Sequence, residues 1–380
     1  MKKLLTLVLA LALCLACVTC FAEASDLQAA YDEEMHLARY ITNRGPAYEY
    51  DGLMDYEHYW FQVAWTQDKI SNNVEEMENA EEIVATLKAK REALVQVVDD
   101  PEDVCWYIWG ENMPEAENAS EYVYVQTFDE AGFKPFLNPY LVADQSAAKG
   151  NAIIVAGGGF NQRCHDYESY PVALQLNELG YNAFVLQRRV APSETIDCSL
   201  DLQRSVRYLR ANAETLGLGA IDNMFTIGFS GGGMTILNQL NTCYGDITPD
   251  AIYPNYVCDE IDAINADYPV AAIYYGTLAG YDSENPNMPT LFICAGTEDN
   301  KVAPANNLEL FNTALEKGWG AELYMAYGAG HGFAVNGVRA FTDIATVTAI
   351  QNVELLNTFL DVKFGFVENT FEFVDFKIEK

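Results

Sequence analysis

The stretch that decides the fold is MFTIGFSGGGMTILNQ, residues 224–239. Its first part, Met224–Gly228, has the apolar pattern of a buried strand, and Gly232–Gln239 has helical spacing. Between them, the residues from Gly228 to Gly232 fit the pattern G-x-S-x-G in the strand–turn–helix setting that the pattern requires. Glycines allow a sharp turn that holds Ser230 strained and exposed at the start of a helix, which predicts a nucleophilic serine. A tight glycine turn with a capping serine is the structural alternative.

Strand and helix patterns alternate along the chain from Asn151 onward. The predicted strands are Ala152–Ala156, Ala183–Leu186, Met224–Gly228, Val270–Tyr274, Thr290–Ala295 and Glu322–Ala326. The predicted helices are Pro171–Leu179, Leu200–Asn212, Gly232–Gln239, Leu308–Lys317 and Phe341–Leu360. This alternation indicates an α/β fold, in which helices cover both faces of a mostly parallel sheet. On the Leu200–Asn212 helix, Asp201 and Arg204 are expected to pair on the outer face.

The residues before this pattern divide into further segments. Residues 1–24 have a basic start, an uncharged apolar run and an A-x-A exit at Ala22-Glu23-Ala24, which predict a signal peptide cleaved after Ala24 and a secreted protein. An uncleaved anchor and a lipoprotein attached at Cys17 are the alternatives. Residues 25–118 form a helical extension, with helices expected up to about Asn43 and over Val74–Val98, and a less regular aromatic stretch between them.

The α/β domain is assigned to residues 119–365. It opens with a predicted hairpin, whose strands are Glu121–Phe128 and Phe133–Ala143. Residues 366–380 form a strand-like tail. The extension before the domain could cap a site or pack on the sheet.

Composition excludes several classes of protein. Half of the 380 residues are apolar, which is enough for a globular core, and 55 acidic against 22 basic residues give a net charge of −33. A field of this sign repels polyanions, so nucleic acid and anionic membrane surfaces are poor partners. Outside the leader there is no H-E-x-x-H, no C-x-x-C and no ligand cluster, so we expect neither a metal nor a cofactor.

Six cysteines follow the leader, and an even number in an exported protein permits disulfides. Cys243 and Cys258 flank a short polar loop and are the favoured pair, and Cys164 with Cys198 is also possible. Cys294 lies in an apolar strand pattern and is expected to be a buried thiol.

A serine hydroxyl needs a base, and the fold that carries this motif places the serine, the acid and the histidine in that order along the chain. Of the four histidines only His331 follows Ser230, and it lies in a glycine-rich loop after a strand. Asp299 follows the strand Thr290–Ala295, where its carboxylate can orient the imidazole. Glu298 is the neighbouring rival for that role. Two weaker candidates are Asp267 and Asp282.

Two backbone N–H groups are needed to stabilise an oxyanion beside such a serine. One is the amide of Gly231, the residue after the nucleophile. The second is expected in Gly157-Gly158-Gly159, after the first parallel strand, from Gly158 or Gly159.

These segments together resemble the secreted, carbohydrate-esterase-like branch of the α/β-hydrolases, which includes acetylxylan- and feruloyl-esterase-like proteins. The matching stretches are Gly157–Phe160, Pro171–Gly180, Phe184–Pro192, Leu200–Arg210, Gly228–Gly232, Pro289–Pro304 and Gly330–Phe333. The resemblance implies a triad of Ser230, Asp299 and His331, and a substrate that is a small-molecule or carbohydrate ester. An exopeptidase or acylaminoacyl-peptidase, and a non-catalytic binding protein on the same fold, are the alternative functions.

The sequence departs from this resemblance at several positions. Ala156 replaces a frequent histidine, Gly231 replaces a common alanine, and Arg188 replaces a usual aromatic residue. The adjacent Arg188 and Arg189 are expected to form structural ion pairs, with binding of a carboxylate as the alternative. The aromatic residues of the extension are expected in the core, with stacking on sugars as the alternative. They are Tyr56, Tyr59, Trp60 and Trp65.

Overall fold

The computed structural model describes residues 26–67, 73–115, 128–129, 132–333 and 352–368. The predicted signal peptide, with the alternative anchor at Cys17, lies outside these ranges. So do residues 121–127 of the predicted hairpin, residues 341–351 of the last predicted helix and most of the strand-like tail.

The described strands form one eight-stranded sheet in the order β1-β2-β4-β3-β5-β6-β7-β8. They are β1 (Trp106–Tyr107), β2 (Phe136–Tyr140), β3 (Gly150–Val155), β4 (Tyr181–Gln187), β5 (Met224–Phe229), β6 (Val270–Tyr274), β7 (Thr290–Gly296) and β8 (Ala321–Ala326). The first two strands are antiparallel to their neighbours, and all pairs from β4 to β8 are parallel. The predicted α/β fold with a mostly parallel sheet is therefore confirmed.

The described α-helices flank this sheet. They are α1 (26–42), α2 (Tyr50–Gln67), α3 (Ala80–Glu92), α4 (His165–Glu168), α5 (Tyr170–Glu178), α6 (Thr195–Leu216), α7 (Gly231–Thr242), α8 (Pro304–Lys317) and α9 (Asn352–Lys363). No helix within the described ranges is both long and apolar enough to cross a bilayer.

Two helical predictions in the extension are wrong. The stretch read as irregular is the regular helix α2, because its apolar side chains have a core to pack against. The helix expected over Val74–Val98 stops at Glu92. The chain beyond it extends instead, since the amide of Glu49 donates to Val95 and the amide of Val97 donates to Ala47.

Alternate residues of each strand face the two helical layers, as the strand period requires. On one face, Ile154 of β3 joins a core that contains side chains of α1, α2, α5 and α9. On the other face, Ile153 joins side chains of α6, α7 and α8. Tyr56 and Trp60 are fully buried in the first core, which confirms their expected place. Tyr59 is partly buried against it, and the side chain of Trp65 lies outside the described part.

A buried ion pair joins the end of β4 to α6. Both oxygens of Asp201 contact the guanidinium of Arg189 at 2.8–3.1 Å, and Asp201 also accepts from the indole of Trp109 at 2.8 Å. The expected outer pair of Asp201 with Arg204 is therefore wrong, because this side of α6 is buried and each residue has another partner. Arg204 donates to Asp262 at 2.8 Å.

The cysteine pairings expected from the sequence are also wrong. Cys243 and Cys258 are free thiols, one buried beside α7 and the other exposed. Cys164 and Cys198 are buried and free, and the thiol of Cys198 donates to the carbonyl of Arg189 at 3.1 Å. Cys294 is buried within β7, as expected.

The Asp201→Ala variant should lose about 3–5 kcal/mol of unfolding free energy in urea, because it removes the closer carboxylate of the buried Arg189 cation and leaves only Asp197, at 3.6 Å. The control is Glu284→Ala, which removes an exposed partner of Lys317 and should leave the unfolding midpoint nearly unchanged. Equal effects of the two substitutions would contradict a structural role for the buried pair.

Candidate active site

The predicted site residues follow the carboxyl ends of neighbouring parallel strands. The glycine loop follows β3, Ser230 follows β5, Asp299 lies three residues after β7, and His331 lies in the loop after β8. Carboxyl ends of parallel strands share one edge of the sheet, and ligands of open α/β sheets bind there. The topology therefore brings together residues that are up to 174 positions apart in sequence.

Ser230 occupies the sharp turn between β5 and α7. Its φ and ψ are 48° and −117°, a conformation that L-residues seldom adopt. The amide of Ser230 donates to the carbonyl of Tyr274 at 2.9 Å, which ties the turn to the adjacent strand β6. The surrounding structure holds the strained serine with its side chain half-buried.

Ser230, His331 and Asp299 form a continuous line of hydrogen-bonding groups. The Oγ of Ser230 lies 2.9 Å from Nε2 of His331, and Nδ1 of the same ring lies 2.8 Å from Oδ2 of Asp299. The other carboxylate oxygen accepts from the amides of Lys301 and Val302 at 2.8 and 2.9 Å. Asp299 is thereby fixed with one oxygen on the backbone and the other on the imidazole.

The rival acids lie elsewhere. Glu298 is exposed to solvent, and Asp282 pairs with Lys317 at the surface. Asp267 lies just before β6, at the opposite end of that strand from Tyr274. Across the described ranges, no three histidine, cysteine or acidic side chains are grouped so that they could hold a metal ion.

The glycine loop turns its carbonyls toward fixed donors. The carbonyl of Gly157 accepts from the amide of Cys164 at 3.3 Å, and that of Gly158 accepts from the amide of Gln162 at 3.1 Å. Because a trans peptide directs its N–H opposite to its carbonyl, these bonds also fix the N–H groups of Gly158 and Gly159. Neither amide, nor that of Gly231, donates to another group in the described part of the chain. These three N–H groups remain the candidate donors to an incoming oxygen.

The loop lies directly against the serine. A Cβ added to Gly157 would stand 3.0 Å from the Cβ of Ser230 and 2.3 Å from a carboxylate oxygen of Glu168. No side chain fits there, so glycine is required for this approach. Gly158 and Gly159 both have positive φ, at 99° and 63°.

Glu168, on α4, is a buried acid beside the site that sequence reasoning missed. Its Oε2 accepts from the amide of Gly157 at 2.7 Å, and its Oε1 accepts from the hydroxyl of Tyr275 at 3.0 Å. The ring of Tyr275 in turn meets the imidazole of His331 edge-on, with centroids 5.1 Å apart. A lone glutamate ahead of a predicted helix belongs to no motif, so only the tertiary contact reveals it.

Burial raises the pKa of Glu168 to about 8, and the nearby charge of Asp166 acts in the same direction. The hydrogen bonds from Gly157 and Tyr275, together with the positive charge of Arg188, lower the pKa and offset part of this rise. The carboxyl group therefore titrates near neutral pH.

Comparison with solved structures identifies the architecture. An acetyl ester-xyloside bifunctional hydrolase from Caldicellulosiruptor lactoaceticus matches with a TM-score of 0.53 and 21% identity, over 69% of this chain and 97% of that chain. The chain has the α/β-hydrolase fold. A thermophilic esterase from Thermogutta terrifontis is also similar, with a TM-score of 0.49 and 20% identity, over 63% of this chain and 91% of its own.

Comparison of sequences finds similarity to a curated protein over part of the chain. Over 244 residues the chain is 28% identical to endo-1,4-β-xylanase B from Butyrivibrio fibrisolvens. The match covers 55% of this chain and 34% of the xylanase, so the chain spans about a third of the length of that curated relative. No protein-family model matches the chain.

The stability of this protein should depend on pH through Glu168. Because the folded-state pKa of about 8 exceeds the ordinary value of 4.5, the folded state binds the proton more tightly. Wild type should therefore lose stability relative to Glu168→Gln as the pH rises from about 4.5 to about 8. Chemical unfolding of both proteins at several pH values measures this difference.

The matched control for this measurement is Glu284→Gln, which changes an exposed glutamate. Its stability difference from wild type should vary little over the same pH range. A Glu168→Gln difference that stays constant from pH 4.5 to pH 8 would show that the carboxyl group titrates normally.

Proposed function

We propose that this chain is a serine esterase that hydrolyses carboxylic esters through an acyl-enzyme, with acyl groups on carbohydrates as its substrates. The observation that carries the proposal is the line from Ser230 through His331 to Asp299, with contacts of 2.9 and 2.8 Å. The serine end of this line lies beside a glycine loop, in which the amides of Gly158 and Gly159 have no acceptor among the described residues. Nucleophile, base and orienting acid in this geometry are the elements of acyl transfer.

In the first half of the reaction, the Oγ of Ser230 attacks the ester carbonyl carbon while Nε2 of His331 takes its proton. The carbonyl oxygen becomes an oxyanion, which accepts from the N–H of Gly231 and from that of Gly158 or Gly159. Each such donor typically contributes about 3 kcal/mol to stabilising the transition state. Asp299 holds the proton on Nδ1, so that Nε2 faces the serine as the acceptor.

In the second half, the imidazolium of His331 gives its proton to the leaving alcohol, and the acyl group remains on Ser230. Water then attacks the acyl-enzyme with His331 as base, and the free acid leaves. No cofactor takes part in this scheme.

Two similarities and the charge of the chain support a carbohydrate ester as substrate. The similar proteins include one named as an acetyl ester-xyloside hydrolase and one named as a xylanase. A net charge of −33 disfavours anionic polymers, whereas an acetylated neutral polysaccharide carries no charge to repel. The predicted leader of residues 1–24 supports action outside the cell, where such polymers occur.

A substrate panel tests this function. Purified protein should hydrolyse acetyl and feruloyl sugar esters, leave peptide anilides intact and react with a fluorophosphonate probe. Ser230→Ala should lower kcat by a factor of about 10⁴ or more and abolish labelling, because it removes the hydroxyl that contacts His331. The control is Ser146→Ala, at an exposed turn, which should keep full activity.

The outcomes of the panel separate the alternatives. Faster cleavage of peptide anilides than of esters would favour an exopeptidase. Absence of both ester hydrolysis and fluorophosphonate labelling would favour a binding protein on a hydrolase scaffold.

The role of Asp299 has its own test. Asp299→Asn should lower kcat by a factor of up to about 10⁴ with little change in KM, since the amide favours the wrong imidazole tautomer. Asp282→Asn, at the surface, should behave as wild type. Normal turnover by Asp299→Asn would assign the acid role to another residue.

A further inference from the structure

We propose that Arg188 is a positioning residue for ester hydrolysis, which fixes the oxyanion loop through the carbonyl of Gly159 in an orientation that requires glycine at position 231. This inference rests on the proposed function, because it gives the loop its catalytic purpose. It connects two positions at which the sequence departs from the family that it resembles.

Arg188 lies at the end of β4 with no exposed surface. Its Nη2 donates to the carbonyl of Gly159 at 2.9 Å and approaches that of Ala156 at 3.4 Å. Its Nη1 donates to the carbonyl of Arg189 at 3.1 Å, and Arg163 donates to the carbonyl of Arg188 itself at 2.6 Å. The guanidinium therefore bridges both ends of the glycine loop.

The partners of Arg188 differ from those of its neighbour. Arg189 is paired with Asp201, so the ion pair expected for Arg189 is present, with a partner that the sequence does not reveal. Within the described ranges Arg188 contacts no carboxylate, so its predicted ion pair is absent, and its full burial leaves no surface for an added carboxylate. Burial lowers the pKa of Arg188. A buried cation held by carbonyls is costly to retain. Two of the three carbonyls that Arg188 contacts, those of Ala156 and Gly159, lie at the two ends of the glycine loop.

The bond to Gly159 has a direct consequence for the site. In the trans peptide between Gly159 and Phe160, the carbonyl accepts from Arg188, so the N–H of Phe160 points in the opposite direction. The amides of Cys164 and Gln162 hold the two preceding carbonyls in the same manner. With Arg188 in place, three successive peptides are oriented before substrate arrives, and such preorganisation is what makes an oxyanion site effective.

Gly231 is coupled to this arrangement. A Cβ at position 231 would lie 2.1 Å from the carbonyl oxygen of Gly159, which is far inside van der Waals contact. The alanine that is common at this position in the family cannot fit while Arg188 holds that carbonyl. The arginine at position 188 therefore requires the glycine at position 231.

The main test compares Arg188→Met with Arg207→Met. Arg207 is a matched control, because it is also fully buried and donates to three backbone carbonyls, those of Gly245, Ile247 and Ile264. Arg188→Met should lower kcat on an acetyl ester about 10–100-fold with KM within about threefold, a smaller loss than removal of an oxyanion donor itself. Arg207→Met should be less stable but keep its kcat.

Two further measurements separate positioning from folding. The affinity for an alkylboronic acid, which forms a tetrahedral adduct with the serine, should fall with kcat in Arg188→Met and not in Arg207→Met. Arg188→Lys keeps the charge and one donor nitrogen, so it should retain more kcat than Arg188→Met. If the methionine variant does not fold, the lysine variant carries the test, with a kcat below that of wild type expected.

The coupling is tested with Gly231→Ala in both backgrounds. Alone it should lower kcat strongly, and in Arg188→Met the further loss should be several-fold smaller, because the loop can then move away. Hydrogen exchange at the amides of Gln162 and Cys164 should also accelerate in Arg188→Met but not in Arg207→Met.

The inference fails if folded Arg188→Met or Arg188→Lys retains wild-type kcat, or if the losses from Gly231→Ala and Arg188→Met simply multiply. If the Ser230→Ala variant hydrolyses esters as fast as the wild-type protein, the proposed function is refuted instead. If wild type shows no ester hydrolysis, unchanged hydrogen exchange in Arg188→Met still refutes the structural role of Arg188.

Discussion

Parallel pairing of β3 with β5, and then of β5 through β8, is the constraint on which the site depends. The carboxyl ends of these strands lie at the same edge of the sheet, so the four loops that carry the site residues meet there. The register leaves little freedom, because the adjacent strands are buried on both faces. The geometry around Ser230 is consequently a property of the whole sheet, and a strained serine can persist there because the sheet fixes both sides of the turn.

The glycine loop adds a second constraint, since its peptides need defined partners once they are buried. At one end of the loop, Glu168 accepts a hydrogen bond from the N–H of Gly157. At the other end, Arg188 donates to the carbonyl of Gly159. Both side chains carry ionisable groups, and both are removed from water. Retaining two such groups beside a serine and a histidine is understandable if the orientation of the loop matters to the reaction.

Local patterns in the sequence were enough to predict the strands from Ala152 onward and the elbow at Ser230, because those features are set by periodicity and by glycine. Chain order alone selected His331. The rest depends on distant contacts. Nothing near Asp201 in sequence reveals that the guanidinium of Arg189 pairs with it. In the same way, nothing near Glu168 reveals that its carboxyl group accepts from the amide of Gly157. The expected helix end near Val98 failed for the same reason, since Val95 and Val97 bond to residues before α2.

The helical extension is joined to the site by polar contacts as well as by its apolar core. From α1, Arg39 donates to the side-chain oxygen of Gln162. The backbone amide of Gln162 in turn donates to the carbonyl of Gly158. From α2, Glu57 accepts from the amide of His165 at 3.3 Å, at the start of the short helix that carries Glu168. The extension thus contacts both ends of the segment from Gln162 to His165, which follows the glycine loop. A part of the chain that the family resemblance does not cover therefore supports the orientation of the peptides closest to the serine.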